Sequence, residues 1–468
     1  RTDFNISLRF PEDIQINPKN GSSFLFSKDP KDDEKEQIFE FSFSEQKPVH
    51  LTTSPEINNA SSFIWAKSGD FIYLINADEK SNQDTFYKLN PKTKDLTKLI
   101  SLKGNSHYLS DSNDEYLIYY DLVSNTHTVY FLYDLKSGQT KQITKSNAFF
   151  RQARFNSFNT GLYYLSDKEG NFNNLFYFDL KTGKERKVNN QILNITAYKI
   201  SPDEKSVLFK TNENGAEQIR IFQLVENKTS IELPKPNLQP GVIERFGWKN
   251  NEEVGFTLES HLFPPKIESW NLKNKELKTI QAGVASPNLV NNLGESSVIR
   301  WKSFDNKEIS GIIQKPKSVA EKLPVIIYIH GGPKLQYQPY FNVFRTFPVS
   351  YLNAASIYTN IRGSSGFGRE FANLDNGEKR IDSIKDLEAL INWIEKQPEL
   401  DSSKIVVKVD SFGGFLALAL AIRNPFKING VIAESPVISV KNAFYYSSKS
   451  VQDSLKDEYG SDETMSSL

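Results

Sequence analysis

Residues 405–425 read IVVKVDSFGGFLALALAIRNP: an apolar run, a serine at 411, glycines at 413 and 414, and a second apolar run. A serine held on a sharp turn between a buried strand and a helix can attack a carbonyl carbon. N–H groups at the start of that helix can then meet the charge that develops on the carbonyl oxygen. Such an elbow needs small neighbours, normally in the pattern G-x-S-x-G. Gly413 supplies the second glycine, but Val409 occupies the place of the first, followed by Asp410. Val409 is therefore expected to crowd the turn, and Val409→Gly to relieve it.

An elbow must be carried by a sheet, and the sequence after about residue 285 supplies one. VIRWKSFDNKEISGIIQKP reads as strands in a hairpin, and LPVIIYI (323–329) and ASIYTNI (355–361) are continuous apolar strands of the kind buried on both faces. Ile384, Leu387, Leu390, Ile391 and Ile394 fall on one helical face, with Asp382 or Ser383 able to cap its start. IVVKV (405–409), a helix from Phe412 to Arg423 and NGVIAES (429–435) complete the pattern. Strands alternating with helices predict a mostly parallel sheet with Ser411 at its carboxyl end, where such folds place their chemistry.

The first 280 residues have a different rhythm. An aromatic or apolar strand, a polar turn and a short closing strand recur with anchors at Phe43, Leu89, Leu135, Leu180, Leu224 and Leu272, in steps of 44 to 48 residues. Between the anchors lies a turn followed by apolar residues, as in AKSGDFIYLI and SPDEKSVLFK. Four short strands per unit at this period are the signature of a β-propeller, whose blades bury their faces against one another. Six repeats are clear. A seventh is left open, assembled from RTDFNISLRF and the stretch after Ile280.

Bulk composition removes several function classes. Lys plus Arg and Asp plus Glu both total 57, so there is no electrostatic case for nucleic acid or for an anionic membrane. The absence of cysteine excludes disulfides, thiolate metal sites and a cysteine nucleophile. No apolar run approaches the ~20 residues of a membrane helix. The chain opens without an initiator Met or an apolar signal core, so either a signal has been removed or the start was cut away. A soluble protein, cytoplasmic or exported, is expected.

Three motifs in order, behind a propeller pattern, resemble the prolyl oligopeptidase family of serine peptidases. YIHGGPKLQYQPYF resembles the family's His-Gly-Gly-Pro loop, and TNIRGSSGFGREF its Asn-x-Arg-Gly-Ser-x-Gly-Phe/Tyr-Gly segment. VDSFGGFLALALA is similar to its nucleophile region. The resemblance implies a β-propeller domain over residues 1–285 and an α/β-hydrolase domain over 286–468. It also implies a serine peptidase acting on short peptides, with no metal or cofactor. Ser411 would be the nucleophile and the Phe412 N–H one oxyanion donor, while the loop of His330, Gly331 and Gly332 would supply the other. Arg362 would shape the site floor, and an anchoring role in the fold is preferred for it over a reactive one.

The family's chain order is serine, then Asp or Glu, then His. The histidines here are His50, His107, His127, His261 and His330, and none follows Ser411, although Asp453, Asp457 and Asp462 do. The Asp and His of the triad are thus absent from this chain. His330 is read as locking its own loop rather than as a base, because a base needs a serine–imidazole hydrogen bond. The other four histidines are read as blade or surface residues. The hydrolase domain is accordingly expected to be incomplete at its C-terminus, and the chain inactive as it stands. Its last strand would lie near a sheet edge, covered by an oligomeric partner or by a missing C-terminal segment. Two other readings stand beside this one: a pseudoenzyme that binds through its propeller or cleft, and an esterase or acyl hydrolase on the same scaffold.

Overall fold

The computed structural model describes residues 14–30, 35–104, 106–189, 191–225, 230–317, 321–332, 334–447 and 449–467. The chain falls into two compact units. One comprises Arg1–Lys168, Phe176–Arg186 and Ser448–Ser454; the other comprises Glu169–Leu175, Lys187–Ser447 and Leu455–Leu468.

Among the described residues there are six four-stranded antiparallel sheets, spanning 15–50, 60–103, 107–142, 150–187, 195–232 and 246–282. Each is a propeller blade whose strands follow one another in chain order. The burial within a blade explains the repeat. The second strands are apolar and almost wholly buried, as in Ile72–Asp78 and Gly161–Ser166. Most fourth strands are short or polar and exposed, as in Thr140–Gln142, Glu185–Lys187 and Glu276–Ala282, whereas Leu96–Lys103 is longer and half-buried. Charged, short edges of this kind resist pairing with other chains. The six anchors mark the end of each third strand: Leu89 closes Gln83–Leu89, and Leu135 directly follows His127–Asp134. A seventh blade does not form from the stretch after Ile280, which runs into a different sheet; residues 1–10 lie outside the described residues.

That sheet has six strands: β1 (Leu293–Lys302), β2 (Glu308–Pro316), β3 (Leu323–Ile329), β4 (Ala355–Asn360), β5 (Leu400–Asp410) and β6 (Gly430–Glu434). Their order is β1-β2-β4-β3-β5-β6. The first two pairings are antiparallel and the other three parallel, so β3, β4, β5 and β6 point their carboxyl ends the same way. Three helices matter for the site: α1 (Val343–Tyr351), α2 (Arg380–Ile394) and α3 (Gly413–Arg423). The five apolar positions of α2 are all buried in the core beneath the sheet. Asp382 and Ser383 do not cap α2; they lie inside its first turn, where Asp382 meets the helix dipole and the Ser383 hydroxyl donates to the Arg362 carbonyl. Among the described residues the strand β6 is paired on one side alone, and its residues 432–434 are exposed.

Candidate active site

The two apolar runs around Ser411 become β5 and α3, and the two residues between them, Ser411 and Phe412, make the turn. Ser411 itself has φ of 49°, in the left-handed region that costs an L-residue on the order of 1 kcal/mol or more. Its neighbours hold it there. The Ser411 N–H donates to the Glu434 carbonyl at 3.0 Å, and the Ser411 carbonyl accepts from the Gly414 and Val437 N–H groups at 3.0 and 2.9 Å. The small residues are required by space: a Cβ on Gly413 would stand 2.8 Å from the Ile329 carbonyl oxygen, and one on Gly414 would stand 2.4 Å from the Pro436 Cβ. The serine side chain is exposed, and no hydrogen bond among the described residues reaches its hydroxyl.

Val409 does not crowd this turn. Its side chain points into the sheet core, where it packs with Ile329, Phe412 and Leu416, and the elbow forms two residues further on. Val409→Gly is therefore expected to destabilise the protein by about 2–4 kcal/mol, the lost burial plus the added backbone freedom, with no gain at the turn. A urea midpoint for this variant at or above that of the native chain would contradict the packing account.

Phe412 precedes α3, so its N–H lies among the first-turn donors that have no acceptor inside the helix. Gly331 approaches from β3: a Cβ there would lie 3.3 Å from the Ser411 Cβ and 3.2 Å from the Asp410 carbonyl oxygen. Gly332 has φ of 126°, a conformation that suits glycine. Pro333 lies outside the described residues. Ser411, Phe412 and Gly331 are thus brought together.

His330 is turned to other partners. Its Nδ1 is 2.8 Å from the Gly331 carbonyl, which can accept alone, so Nδ1 carries the proton. Its Nε2 is 2.8 Å from the Ser364 hydroxyl, which also lies 2.6 Å from the Ile361 carbonyl. Burial pushes the ring down to about 4, against the opposing pull of the Gly331 carbonyl. His261 is no surface residue either. It is buried, its Nδ1 meets the Ser296 hydroxyl of β1 at 2.9 Å, and burial and the Arg345 charge push it down to about 3. Both rings fold neutral, whereas the unfolded chain protonates each below about pH 6.5. For these two rings unfolding therefore takes up protons, and their contribution to stability falls as pH drops from about 6.5 toward 4. The expected slope is about 1.4 kcal/mol per pH unit for each ring. Buried Asp375 and Asp386, whose carboxyls are raised, titrate in the opposite sense over this range, so the ring is read by difference. Urea titrations at pH 7, 6 and 5 should show the native chain losing about 1.4 kcal/mol more per pH unit than His261→Gln, and parallel profiles would contradict the assignment.

The second motif, TNIRGSSGFGREF, holds rather than reacts. The Asn360 side chain accepts from the Tyr337 N–H at 2.7 Å and donates to the Tyr337 carbonyl at 3.0 Å, fixing the loop after Gly332. Arg362 donates to Asp386 on α2 through Nε at 2.9 Å and Nη2 at 2.8 Å, and to Asp305 in the β1–β2 turn through Nη2 at 3.1 Å. Gly366 and Gly368, both at positive φ, lie against side chains that sequence reasoning missed. Asn171 accepts from the Glu370 N–H at 2.8 Å, Asn194 donates to the Gly366 carbonyl, and Asn212 donates to Gln336 at 2.8 Å. Their shared residue type among turn and strand-end positions of the repeats was the available signal.

A chain of four-stranded blades that leads into a mixed sheet, with a strained serine where β5 meets α3, is a propeller-bearing α/β-hydrolase. Residues 339–465 match the model of the prolyl oligopeptidase family. An uncharacterised peptidase of Rickettsia prowazekii is 26% identical over 275 residues, covering 58% of this chain and 37% of that relative. The acylamino-acid-releasing enzyme of Rattus norvegicus is 25% identical over 141 residues, covering 29% of this chain and 19% of that enzyme. The matches thus span about a third or less of these relatives' own lengths. Among solved structures, prolyl oligopeptidase B from Galerina marginata superposes with a TM-score of 0.77 at 15% identity, covering 96% of this chain and 66% of that one. The fold is therefore that of a β-propeller joined to an α/β-hydrolase. No helix of the described residues is long and apolar enough to cross a membrane.

Proposed function

We propose that the chain carries the nucleophile and oxyanion elements of a serine peptidase acting on short peptides. The observation that carries this reading is Ser411 at φ of 49° on the turn between β5 and α3, its hydroxyl exposed and the Phe412 N–H beside it. Once a base takes its proton, the Ser411 hydroxyl would attack the peptide carbonyl, and the oxyanion that forms would be met by the Phe412 N–H and by an amide of the Gly331–Gly332 loop. Each such donor lowers the barrier by ~3 kcal/mol. Collapse of that intermediate would break the C–N bond, leaving an acyl-serine and releasing the amine with the proton the base had taken. His330 and Arg362 hold the surrounding loops. One relative named as a peptidase and another named as an acylamino-acid-releasing enzyme favour a peptide substrate.

The reading includes a deficit. No histidine follows Ser411 among the 468 residues, and both nitrogens of His330 have other partners. The 468-residue polypeptide is therefore proposed to have the nucleophile without its base and to turn over little or no substrate alone. That observation also favours the second reading, a pseudoenzyme that binds peptides without cleaving them. Phosphonate probes supplied with imidazole separate the readings. Labelling of Ser411 by peptidyl phosphonates supports the peptidase, preferential labelling by alkyl phosphonates supports an esterase, and no labelling with retained peptide binding supports the pseudoenzyme.

The reading also assigns a partner to the free side of β6. Ile432 on that strand, Ile422 in the last turn of α3, Phe426 after it, and Ile438 are large apolar side chains left exposed. Such an edge pairs with a further strand or a second copy. Sedimentation should show concentration-dependent association of the 468-residue chain, weakened by Ile432→Lys; a monomer at all concentrations would count against it.

A further inference from the structure

Four charged side chains close on one another behind Phe412. Arg380, fully buried at the start of α2, donates through Nη1 to Asp375 Oδ2 at 3.0 Å. Through Nη2 it donates to the Glu458 carboxylate at 2.9 Å and to the Glu458 backbone carbonyl at 2.8 Å. Its guanidinium carbon is 4.8 Å from the centre of the Phe412 ring and 5.4 Å from that of Tyr459, and these two rings stack at 5.9 Å. Lys334, two residues beyond Gly332, reaches the other oxygen of Glu458 at 2.9 Å and Asn373 at 2.8 Å. Glu458 is thus shared between the guanidinium under Phe412 and the ammonium on the Gly331–Gly332 loop. A buried ion cluster is weak as a source of stability compared with apolar packing, so what it adds here is geometry.

We propose that Lys334, Asp375, Arg380 and Glu458 form a positioning device that sets the Phe412 amide and the Gly331–Gly332 loop relative to each other, and that ionisation of Asp375 changes that setting. The proposal rests on the reading of these amides as oxyanion donors. Asp375 Oδ1 and Arg380 Nε have no hydrogen-bond partner among the described residues, so the cluster is not locked in one protonation state. With Asp375 ionised, the guanidinium is held between two carboxylates; with it neutral, Glu458 holds the guanidinium alone and the cation shifts under the Phe412 ring. Gly363 presses on the carboxyl from the far side: a Cβ there would lie 2.3 Å from the Asp375 Cγ. Burial, with the Glu458 charge, pushes Asp375 up to about 7, while Arg380 and Lys334 pull it down. Two other titratable neighbours are far from neutrality: His330 is pushed down to about 4 and Tyr459 up to about 12.

The test is an NMR titration of the 468-residue chain carrying carbonyl-¹³C serine and ¹⁵N phenylalanine. Six Ser–Phe peptide groups report, and Ser411→Ala identifies the one at Phe412 by its loss. The Phe412 amide is expected to titrate with a midpoint near 7. Asp375→Asn should abolish that titration, and Lys334→Met should move the midpoint upward, since it removes a positive charge that favours the carboxylate. A Phe412 amide that stays flat from pH 6 to 8.5, or one that still titrates in Asp375→Asn, would overturn the proposal. If Asp375→Asn does not fold, an unmoved midpoint in Lys334→Met overturns it equally. None of these readings requires Ser411 to react, so a failure here is distinct from a failure of the nucleophile assignment.

Discussion

Replacing Arg362 with methionine is expected to remove about 3–5 kcal/mol of stability, the cost of leaving a buried charge without its partner. Asp386 is fully buried on α2, and its carboxylate accepts from Arg362 Nε, Arg362 Nη2 and the Arg362 backbone N–H. In the variant the backbone N–H of residue 362 and the Ser303 hydroxyl, at 2.5 Å, are the supports that remain, and neither carries charge. Burial pushes the Asp386 carboxyl up, and the bonds from Arg362 and Ser303 oppose that push. Without Arg362 the folded carboxyl titrates higher still. Because a raised carboxyl contributes stability at low pH and loses it as pH rises, the deficit of Arg362→Met should shrink toward pH 5. Arg362→Met with Asp386→Leu should recover most of the loss, because the uncompensated charge is gone. Urea unfolding of the two variants measures this, and a single-variant loss below about 1 kcal/mol would show that Arg362 is not the anchor its geometry implies.

The parts of this molecule that obey a period were legible in the sequence. The steps between Phe43 and Leu272 located the third strand of every blade, because a blade buries its second strand and exposes its fourth in the same order each time. Ile384 to Ile394 located the buried face of α2 for the same reason. Ser411 was legible because a strained turn leaves a local mark, glycines flanked by apolar runs. Val409 misled because the pattern G-x-S-x-G describes common turns, whereas this turn forms with the valine directed into the core. The charged residues were not legible. Arg380 meets Glu458 across 78 positions, and no local pattern records such a pairing. Nor does the C-terminal stretch show a periodic apolar face that would mark Glu458, Tyr459 and Met465, all buried there. Asn171, Asn194 and Asn212 were likewise hidden, since an asparagine at a turn or strand end serves its own backbone as often as a distant loop.

The larger functional prediction concerns Ser411. General-base assistance contributes ~10²–10⁴-fold to attack by a hydroxyl, and on the proposed reading the 468-residue chain has the hydroxyl in place without that assistance. Since the Ser411 side chain is exposed, a small diffusible base can reach it. Imidazole in its neutral form should therefore recover part of the lost rate, on the order of ten-fold or more. The gain should track the free-base concentration as pH is raised, and Ser411→Ala should abolish it. A Phe412→Pro substitution, which removes the proposed oxyanion N–H, should lower the imidazole-assisted rate while leaving Ser411 exposed.

The most direct measurement is the rate at which a fluorophosphonate modifies Ser411 in the 468-residue chain, followed by peptide mass analysis with and without imidazole. The account predicts slow modification alone, acceleration by imidazole confined to Ser411, and none in Ser411→Ala. Rapid modification without imidazole would show that a base is already present. No modification of Ser411 at any imidazole concentration would show that the elbow does not present a nucleophile.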